Sequence, residues 1–547
     1  MKRQDSISKG LPRTVVGDSR SQRDSQLVFN EQPTPHLAPP TLNVVVRYSL
    51  IALLTVLLSV PLPGKGLAAQ IEPNPNPVNN TITVLSADQN SVQFSNLGII
   101  DVLGNGTLTN FGTMNNDGGA ITVGTSGTYY QTASIGTSSR TINNGTFTNA
   151  GHIDLAPAYA IFTNSAGGRF VQEASGSTFM TQFSGFSNAG QATIGGRFDI
   201  YEAATYFNSG TTRSNGSFDL ISGDISNGGT FANEGRTYAT GGERNSGGIL
   251  NRAGGVYENR VTGTVTLSDT ALFANRGIVV NDGKVELLPG GTFVQERLQQ
   301  DAPVVPTTVN TGTFTNNVGT VSIEAGTFAN NGNLTNAGTF QVASLGQVTG
   351  NGSYVQTAAG AQTIVNGTFV NNIALQQGLL SGTGTVTGSV VNTGGVVRPG
   401  GAVAPGTLML ASYTQGTNGR LDFRIGGLLA GTQYDVLRIN GPVTLNGTVQ
   451  VSLTNNFQPN VGDRFNILRS DRITLGQVNF SLPSLPSRET WLTNIVGNLF
   501  ELSVAQAHVS APEPNRLLLM LLGVMWLMVW QWRCVMREKY ETHTNCS

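Results

Sequence analysis

The chain has 547 residues, of which 69 are Gly and only 12% are charged, and its formal net charge is −1. An ordinary soluble domain has about 7% Gly and about 25% charged residues. The excess of Gly, with abundant Thr and Asn, indicates turn-rich β structure. A body without a basic stripe excludes nucleic acid as a partner. A neutral surface of hydroxyls and amides suits extracellular polysaccharide or other copies of the same chain.

Residues 1–69 are predicted to hold a disordered polar segment followed by a signal peptide. Arg47 precedes an apolar run from Tyr48 to Val60, and the small residues Ala68 and Ala69 follow it. The run is about 13 residues long, short of the ~20 that a spanning helix needs, which favours a cleaved signal over an uncleaved anchor. We therefore expect the general export machinery as a partner and cleavage after Ala69 or Ala68.

Residues 70–395 contain a short phrase that recurs with a period near twenty residues. Clear copies are GTLTNFG from Gly106, GTFTNAG from Gly145, GTFANEG from Gly229 and GTFANNG from Gly326. Self-similarity on this scale is typical of solenoids. Strand alternation within the phrase sends the aromatic residue to one side and the flanking Thr to the other. We expect four aromatic side chains to point inward: Phe147, Phe231, Phe314 and Phe328.

Stacking of these copies determines the predicted fold. A single copy cannot bury its aromatic residue, whereas stacked copies bury a continuous stripe, pair each strand above and below, and align Asn side chains into ladders. The fold class is therefore predicted as all-β, an elongated right-handed parallel β-helix. The alternative is loosely ordered low-complexity chain, which the regular spacing of Phe, Ile and Val disfavours.

In residues 396–505 the repeated phrase is replaced by other motifs, but strand alternation and Asn-Gly turns continue. The segment runs through VVRPGGAVAPGTLML, SYTQGTNGRLDFRIGG and QYDVLRING, and Asp435 beside Tyr434 is expected to order a turn. This order of motifs resembles the C-terminal passenger segments of autotransporter-like and haemagglutinin-like β-helix proteins. The resemblance implies a β segment that caps the solenoid, and it implies nothing about a ligand.

Residues 506–547 contain a second predicted targeting signal. Pro512, Glu513 and Pro514 precede an apolar stretch, and a basic stop cluster follows it at Arg533, Arg537 and Lys539. Cations after the stretch favour a cytoplasmic C-terminus and a body that faces outward. This order resembles the PEP-CTERM sorting signal of Gram-negative bacteria, which implies processing by an exosortase. A plain transmembrane tail anchor is the alternative, because Arg516 and the last fourteen residues depart from the compact family pattern.

An enzyme active on polysaccharide, a lyase or hydrolase, is the competing class. Such enzymes need clustered carboxylates with cations beside them. The Asp residues of the body are scattered singly, and His152, placed in an exposed turn, lies in no triad motif. Both cysteines lie in the last fourteen residues, and calcium-binding nonapeptides are absent, so no cofactor or metal is expected. Scattered residues can still meet across turns, which keeps this alternative open.

The sequence thus predicts a structural or adhesive protein rather than an enzyme. It is expected at the cell surface or in the extracellular matrix of a Gram-negative-type bacterium, held in the membrane by its C-terminal helix until sorted.

Overall fold

The computed structural model describes residues 68–133, 137–156, 159–241, 247–296, 305–486, 488–507 and 516–540. The predicted disordered segment and the apolar run of the signal peptide lie outside the described residues. The unit considered below begins at Ala68.

The described body is built from 49 strands joined by lateral pairing, which at three strands per turn make about 16 turns. The first 25 strands are β1 (Ala69–Gln70), β2 (Thr81–Val84), β3 (Ala87–Asn90), β4 (Gln93–Asn96), β5 (Ile99–Val102), β6 (Thr107–Asn110), β7 (Thr113–Asn116), β8 (Ala120–Val123), β9 (Thr128–Gln131), β10 (Ser139–Asn143), β11 (Thr146–Asn149), β12 (His152–Leu155), β13 (Ala160–Asn164), β14 (Arg169–Gln172), β15 (Ser177–Met180), β16 (Gly185–Asn188), β17 (Gln191–Ile194), β18 (Arg197–Tyr201), β19 (Thr205–Asn208), β20 (Thr211–Ser214), β21 (Ser217–Ile221), β22 (Asp224–Asn227), β23 (Thr230–Asn233), β24 (Arg236–Thr240) and β25 (Gly248–Asn251).

The remaining elements include longer strands that continue around a corner. They are β26 (Val256–Asn259), β27 (Thr264–Ser268), β28 (Leu272–Asn275), β29 (Ile278–Asn281), β30 (Lys284–Leu287), β31 (Thr292–Gln295), β32 (Thr307–Asn310), β33 (Thr313–Asn316), β34 (Thr320–Asn330), β35 (Asn333–Asn336), β36 (Thr339–Thr349), β37 (Ser353–Gln356), β38 (Gln362–Val365), β39 (Thr368–Phe369), β40 (Ile373–Leu375), β41 (Leu379–Gly382), β42 (Thr385–Asn392), β43 (Val396–Pro399), β44 (Thr407–Gln415), β45 (Arg420–Ile425), β46 (Val436–Leu453), β47 (Arg464–Ser481), β48 (Glu489–Val496), β49 (Leu499–Gln506) and α1 (Arg516–Tyr540).

Three parallel faces run along the solenoid. Through the regular part of the body each strand pairs in parallel with the strand three places later, as β10 with β13, β11 with β14 and β12 with β15. We call the faces that carry β10, β11 and β12 the first, second and third face. This arrangement confirms the predicted parallel β-solenoid.

Inward side chains of the three faces form one continuous core. The typical four-residue strand alternates half-buried and buried positions, as in Thr-Phe-Thr-Asn of β11. The four Phe expected to point inward are at most 1% exposed, which confirms that prediction. Aromatic rings of successive turns contact each other: the ring centroids of Phe162 and Phe186 are 4.8 Å apart, and those of Phe186 and Tyr206 are 5.1 Å apart. Such contacts add to the burial of apolar area.

Buried Asn side chains form ladders at the corners, as the sequence predicted. In the longest ladder, on the first face, each Nδ2 donates to the Oδ1 of the following turn over 2.7–2.9 Å, through nine bonds that join Asn76, Asn96, Asn116, Asn143, Asn164, Asn188, Asn208, Asn227, Asn251 and Asn275. A second ladder, on the second face, joins Asn233, Asn259, Asn281, Asn310 and Asn330.

Each rung of a ladder also satisfies backbone groups. Asn96 Nδ2, for example, donates to the carbonyl oxygen of Ala120 over 3.1 Å in addition to its bond with Asn116. Buried amides are stable only when their donors and acceptors are paired, and a carboxamide can pair both along the ladder. The Asn of the repeated phrase is therefore a buried structural residue.

Glycine follows the Asn because adjacent corners approach closely. A Cβ placed on Gly210 would lie 2.2 Å from the carbonyl oxygen of Gly190, one turn earlier. Such a contact is too close for any side chain, so the corner stack requires Gly at this position.

Parallel pairing continues beyond residue 395. β43 pairs with β45, and β46 pairs with both β45 and β47. Antiparallel pairing closes this end of the solenoid, where β49 pairs with β47 and with β48.

A buried ion pair fixes the loops of this C-terminal region. Asp435 is fully buried, and its Oδ2 accepts hydrogen bonds from the Arg424 backbone N and Nε, each over 2.9 Å. Arg424 Nη2 also donates to the carbonyl oxygens of Pro399 and Ala404. The prediction that Asp435 orders a turn was thus too local, because Asp435 accepts from the backbone N of Gly406 and its partner Arg424 donates to Pro399 and Ala404.

Candidate ligand-binding face

A line of outward side chains crosses the third face on six consecutive turns. The third residue of β9, β12, β15, β18, β21 and β24 lies in register with the third residue of the next strand. Because strand alternation buries the second and fourth residues, these third residues point outward. We call this line the outer row, and it consists of Tyr130, Asp154, Phe179, Asp199, Asp219 and Tyr238.

Two carboxylates at the centre of the outer row pair with two guanidiniums from the first residues of β18 and β24. Arg197 Nε lies 2.8 Å from Asp199 Oδ1 and 3.8 Å from Asp219 Oδ2, and Arg236 Nη2 pairs with Asp219 Oδ1. Both carboxylates are buried at 8% exposure, whereas both Arg side chains are about half exposed. Burial raises the pKa of the Asp199 carboxyl, and the neighbouring Arg197 opposes that rise.

Aromatic side chains flank this charged centre on both sides. Phe179 is half-buried, and its ring centroid lies 5.1 Å from that of Tyr201. On the other side the Arg236 guanidinium lies 5.4 Å from the ring centroid of Tyr238, whose hydroxyl is 2.9 Å from Ser268 Oγ. Planar rings beside fixed hydrogen-bonding groups give the row both stacking surfaces and polar contacts.

Asp154 lies between Tyr130 and Phe179 in the row. Its Oδ1 is buried and has no hydrogen-bond partner among the described residues. Burial raises the pKa of its carboxyl to about 6. The adjacent His152 is half-buried in β12 with Nδ1 2.9 Å from Ser177 Oγ, so the expectation of an exposed turn was wrong. Burial lowers the pKa of His152, which favours its neutral form.

In the outer row, two Asp residues that stand singly in the sequence meet across turns, which the sequence analysis left open. Asp199 and Asp219 are direct register partners on β18 and β21. Their surroundings in the sequence, RFDIY and SFDLI, stand twenty residues apart and share Phe-Asp followed by an aliphatic residue. That repetition was the available signal. Among the described residues no group of three or more His, Cys, Asp or Glu is placed to hold a metal ion.

A separate open cleft of about 640 Å³ lies on the first face near the C-terminal end. Its lining includes Gln376, Arg398 and Arg420. Asp422 pairs with both Arg, since its Oδ2 is 2.8 Å from Arg398 Nη2 and its Oδ1 is 2.8 Å from Arg420 Nε. Ion pairs therefore occupy the charged groups of the cleft.

The residues of the two predicted targeting signals, the signal-peptide cleavage site and the C-terminal sorting signal, lie toward the two ends of the sequence. Ala69 is exposed and begins β1, where it pairs with Asp88. The sorting motif Pro512, Glu513 and Pro514 lies outside the described residues. Arg533, Arg537 and Lys539 belong to α1, and the side chains of Arg533 and Arg537 are exposed.

One described helix is long and apolar enough to cross a membrane. Its segment Leu518–Arg537 is 20 residues long, predominantly apolar, and not buried against the rest of the protein. Length and composition therefore agree with the predicted C-terminal membrane segment.

These features define the class of the protein as an all-β parallel β-solenoid with a C-terminal apolar helix. No family model matches the chain, and no curated protein matches it. Among solved structures it is similar to the crystal structure of a TibC-catalyzed hyper-glycosylated TibA fragment, with 14% sequence identity and a TM-score of 0.18. That match covers 73% of this chain and 97% of the other.

Proposed function

We propose that this protein is an exported structural or adhesive β-solenoid of the bacterial cell surface or extracellular matrix. The observation that carries the proposal is the succession, in one chain, of a long solenoid and an exposed apolar helix, Leu518–Arg537, with cations toward its end. The helix can anchor the chain in the membrane, and the cations after its apolar part favour an orientation with the solenoid outside the cytoplasm.

The two predicted processing signals flank the described body in the sequence. The first described strand, β1, begins at Ala69, the predicted cleavage residue. At the other end, β49 closes at Gln506, six residues before the motif Pro512-Glu513-Pro514. In sequence order the motif lies between β49 and α1, which is the position that removal of α1 from the body requires. An exosortase is the partner that the PEP-CTERM resemblance suggests.

A polysaccharide-active enzyme is the second candidate, and the adjacent carboxylates Asp199 and Asp219 favour it. Glycosidases that use two carboxyl groups need one as a proton donor and the other as nucleophile or base. Here Arg197 pairs with Asp199 and Arg236 pairs with Asp219, so a guanidinium already occupies an oxygen of each carboxylate. The row is therefore better suited to holding a ligand than to cleaving one.

Cell fractionation and mass spectrometry of the protein from its native host test the proposal. We expect a surface or matrix form that begins near Gln70 and lacks α1. The variant Glu513→Ala should keep α1 and stay in the membrane fraction, whereas Glu541→Ala, beyond the helix, should be processed normally. Loss of α1 from both variants would show that the motif is not the sorting signal, and retention of α1 in the parent and both variants would leave a permanent tail anchor. A chain recovered only from the cytoplasm would refute export.

A further inference from the structure

We infer that the outer row is a binding site for an extended, uncharged polysaccharide that lies along the solenoid axis. The inference rests on the proposed function, because a protein exported to the surface or matrix meets such chains. The aromatic rings would stack on sugar faces. The half-exposed guanidiniums, held in place by the buried carboxylates, would donate hydrogen bonds to sugar hydroxyls.

The dimensions of the row suit a linear chain. Neighbouring strands lie about 4.8 Å apart, so the five intervals from Tyr130 to Tyr238 span about 24 Å. Aromatic residues stand at both ends and at Phe179, and the charged centre lies between Phe179 and Tyr238. A linear glycan laid along this line meets rings and hydrogen-bonding groups in turn.

The charge of the row selects an uncharged ligand. Arg197 and Arg236 balance Asp199 and Asp219, and the ion pairs hold these groups in place before any ligand binds. A polycationic chain would meet the half-exposed guanidiniums, and a polyanionic chain would find each guanidinium already paired with a carboxylate. Sugar hydroxyls, in contrast, can accept hydrogen bonds from the remaining N–H groups of the guanidiniums.

The shape of the row disfavours a protein partner. Strands of the row pair with neighbours on both sides, so no free strand edge is available for an added strand. The rings and carboxylates of the row follow one line along the solenoid, which fits one extended chain.

The second face provides an internal comparison. The third residues of β11, β14 and β17 form a parallel line in register, as the third residues of the outer row do. They are Thr148, Val171 and Thr193, and the line continues with Arg213, which pairs with Glu234. Small β-branched residues are what an outward strand position needs for stability alone. The aromatic rings of the third face, which have no equivalent at these four positions, therefore exceed the structural requirement.

An array of immobilised neutral and acidic oligosaccharides, probed with the purified full chain, tests the inference. We expect retention by neutral glycans, and about tenfold weaker binding for Phe179→Ala. Phe179→Tyr should keep binding because it keeps the ring, which covers the case in which Phe179→Ala folds poorly. Thr193→Ala, at the same position on the second face, should bind like the parent.

Two outcomes would overturn the inference: retention by no neutral glycan, and equal binding by Phe179→Ala and Thr193→Ala. Fractionation of cells that express Phe179→Ala separates this inference from the proposed function. If the chain is found at the surface but Phe179→Ala binds glycans as the parent does, the binding site is wrong and the proposed function stands. If the chain is found inside the cell but Phe179→Ala weakens glycan binding, the proposed function is wrong and the binding site stands.

Discussion

Replacing one inner rung of the long ladder, Asn188→Ala, should lower the free energy of unfolding by about 3 kcal/mol. Asn188 Nδ2 donates to Asn208 Oδ1 over 2.9 Å and to the carbonyl oxygen of Thr211 over 3.1 Å. Its Oδ1 accepts from Asn164 Nδ2 over 2.7 Å. Each bond contributes about 1 kcal/mol net, and partners left buried without a bond add to the cost.

Urea unfolding of the full chain, followed by circular dichroism, measures this effect. The matched control is Asn215→Ala, an exposed Asn one turn away, which should change stability by less than about 0.5 kcal/mol. Repeat arrays can unfold in stages, so the transition that includes β16 is the relevant one. If Asn188→Ala and Asn215→Ala unfold alike, the ladder does not stabilise the solenoid and the reasoning fails.

Three further predictions concern the interior and the outer row. Because the pKa of Asp154 is raised to about 6, its stabilising contribution is full below its ordinary pKa and is lost as the pH rises through 6. Asp154→Asn should therefore be more stable than the parent by up to about 3 kcal/mol at pH 8 and equal to it at pH 3. Thermal melts at both pH values measure this difference. Phe186→Ala should cost about 3–5 kcal/mol through the cavity that it leaves among neighbouring rings, and an unchanged melting temperature would contradict the packing. Arg424→Met should lower the free energy of unfolding by about 3–5 kcal/mol, because it leaves the Asp435 carboxylate buried without its cation. It should also speed proteolysis near residue 402, whose carbonyl oxygen accepts from Arg424. The double variant Arg424→Met with Asp435→Leu should recover most of the lost stability.

Local pattern was sufficient to predict the core. Whether Phe147 points inward depends only on alternation within one strand and on the repeat that supplies its neighbours, and both are visible in the sequence. Asn149 shows where local reasoning ended: the Asn looks like a turn residue, yet it is fully buried because the chain bends after it. The turn chemistry belongs to the residues that follow.

The outer row could not be predicted from spacing alone. Asp199 and Asp219 are neighbours because exactly one turn of twenty residues separates them, whereas Asp154 and Phe179 are neighbours across twenty-five. Turn length varies at the corners, so the partner of an outward residue is known only once every corner is placed. The ion pair of Asp435 was not predicted for a related reason, since its partner Arg424 lies eleven residues earlier and across a loop.

The ladder of Asn side chains has a direction. Every bond runs from Nδ2 of one turn to Oδ1 of the next, so a completed turn always presents an unused N–H toward the part of the chain that has yet to fold. Closing the next turn requires a loop of only about twenty residues, whose entropic cost is small. Assembly can therefore advance in the order in which an exported chain emerges. Each added turn also makes backward sliding harder, so folding outside the cell would pull the remaining chain forward.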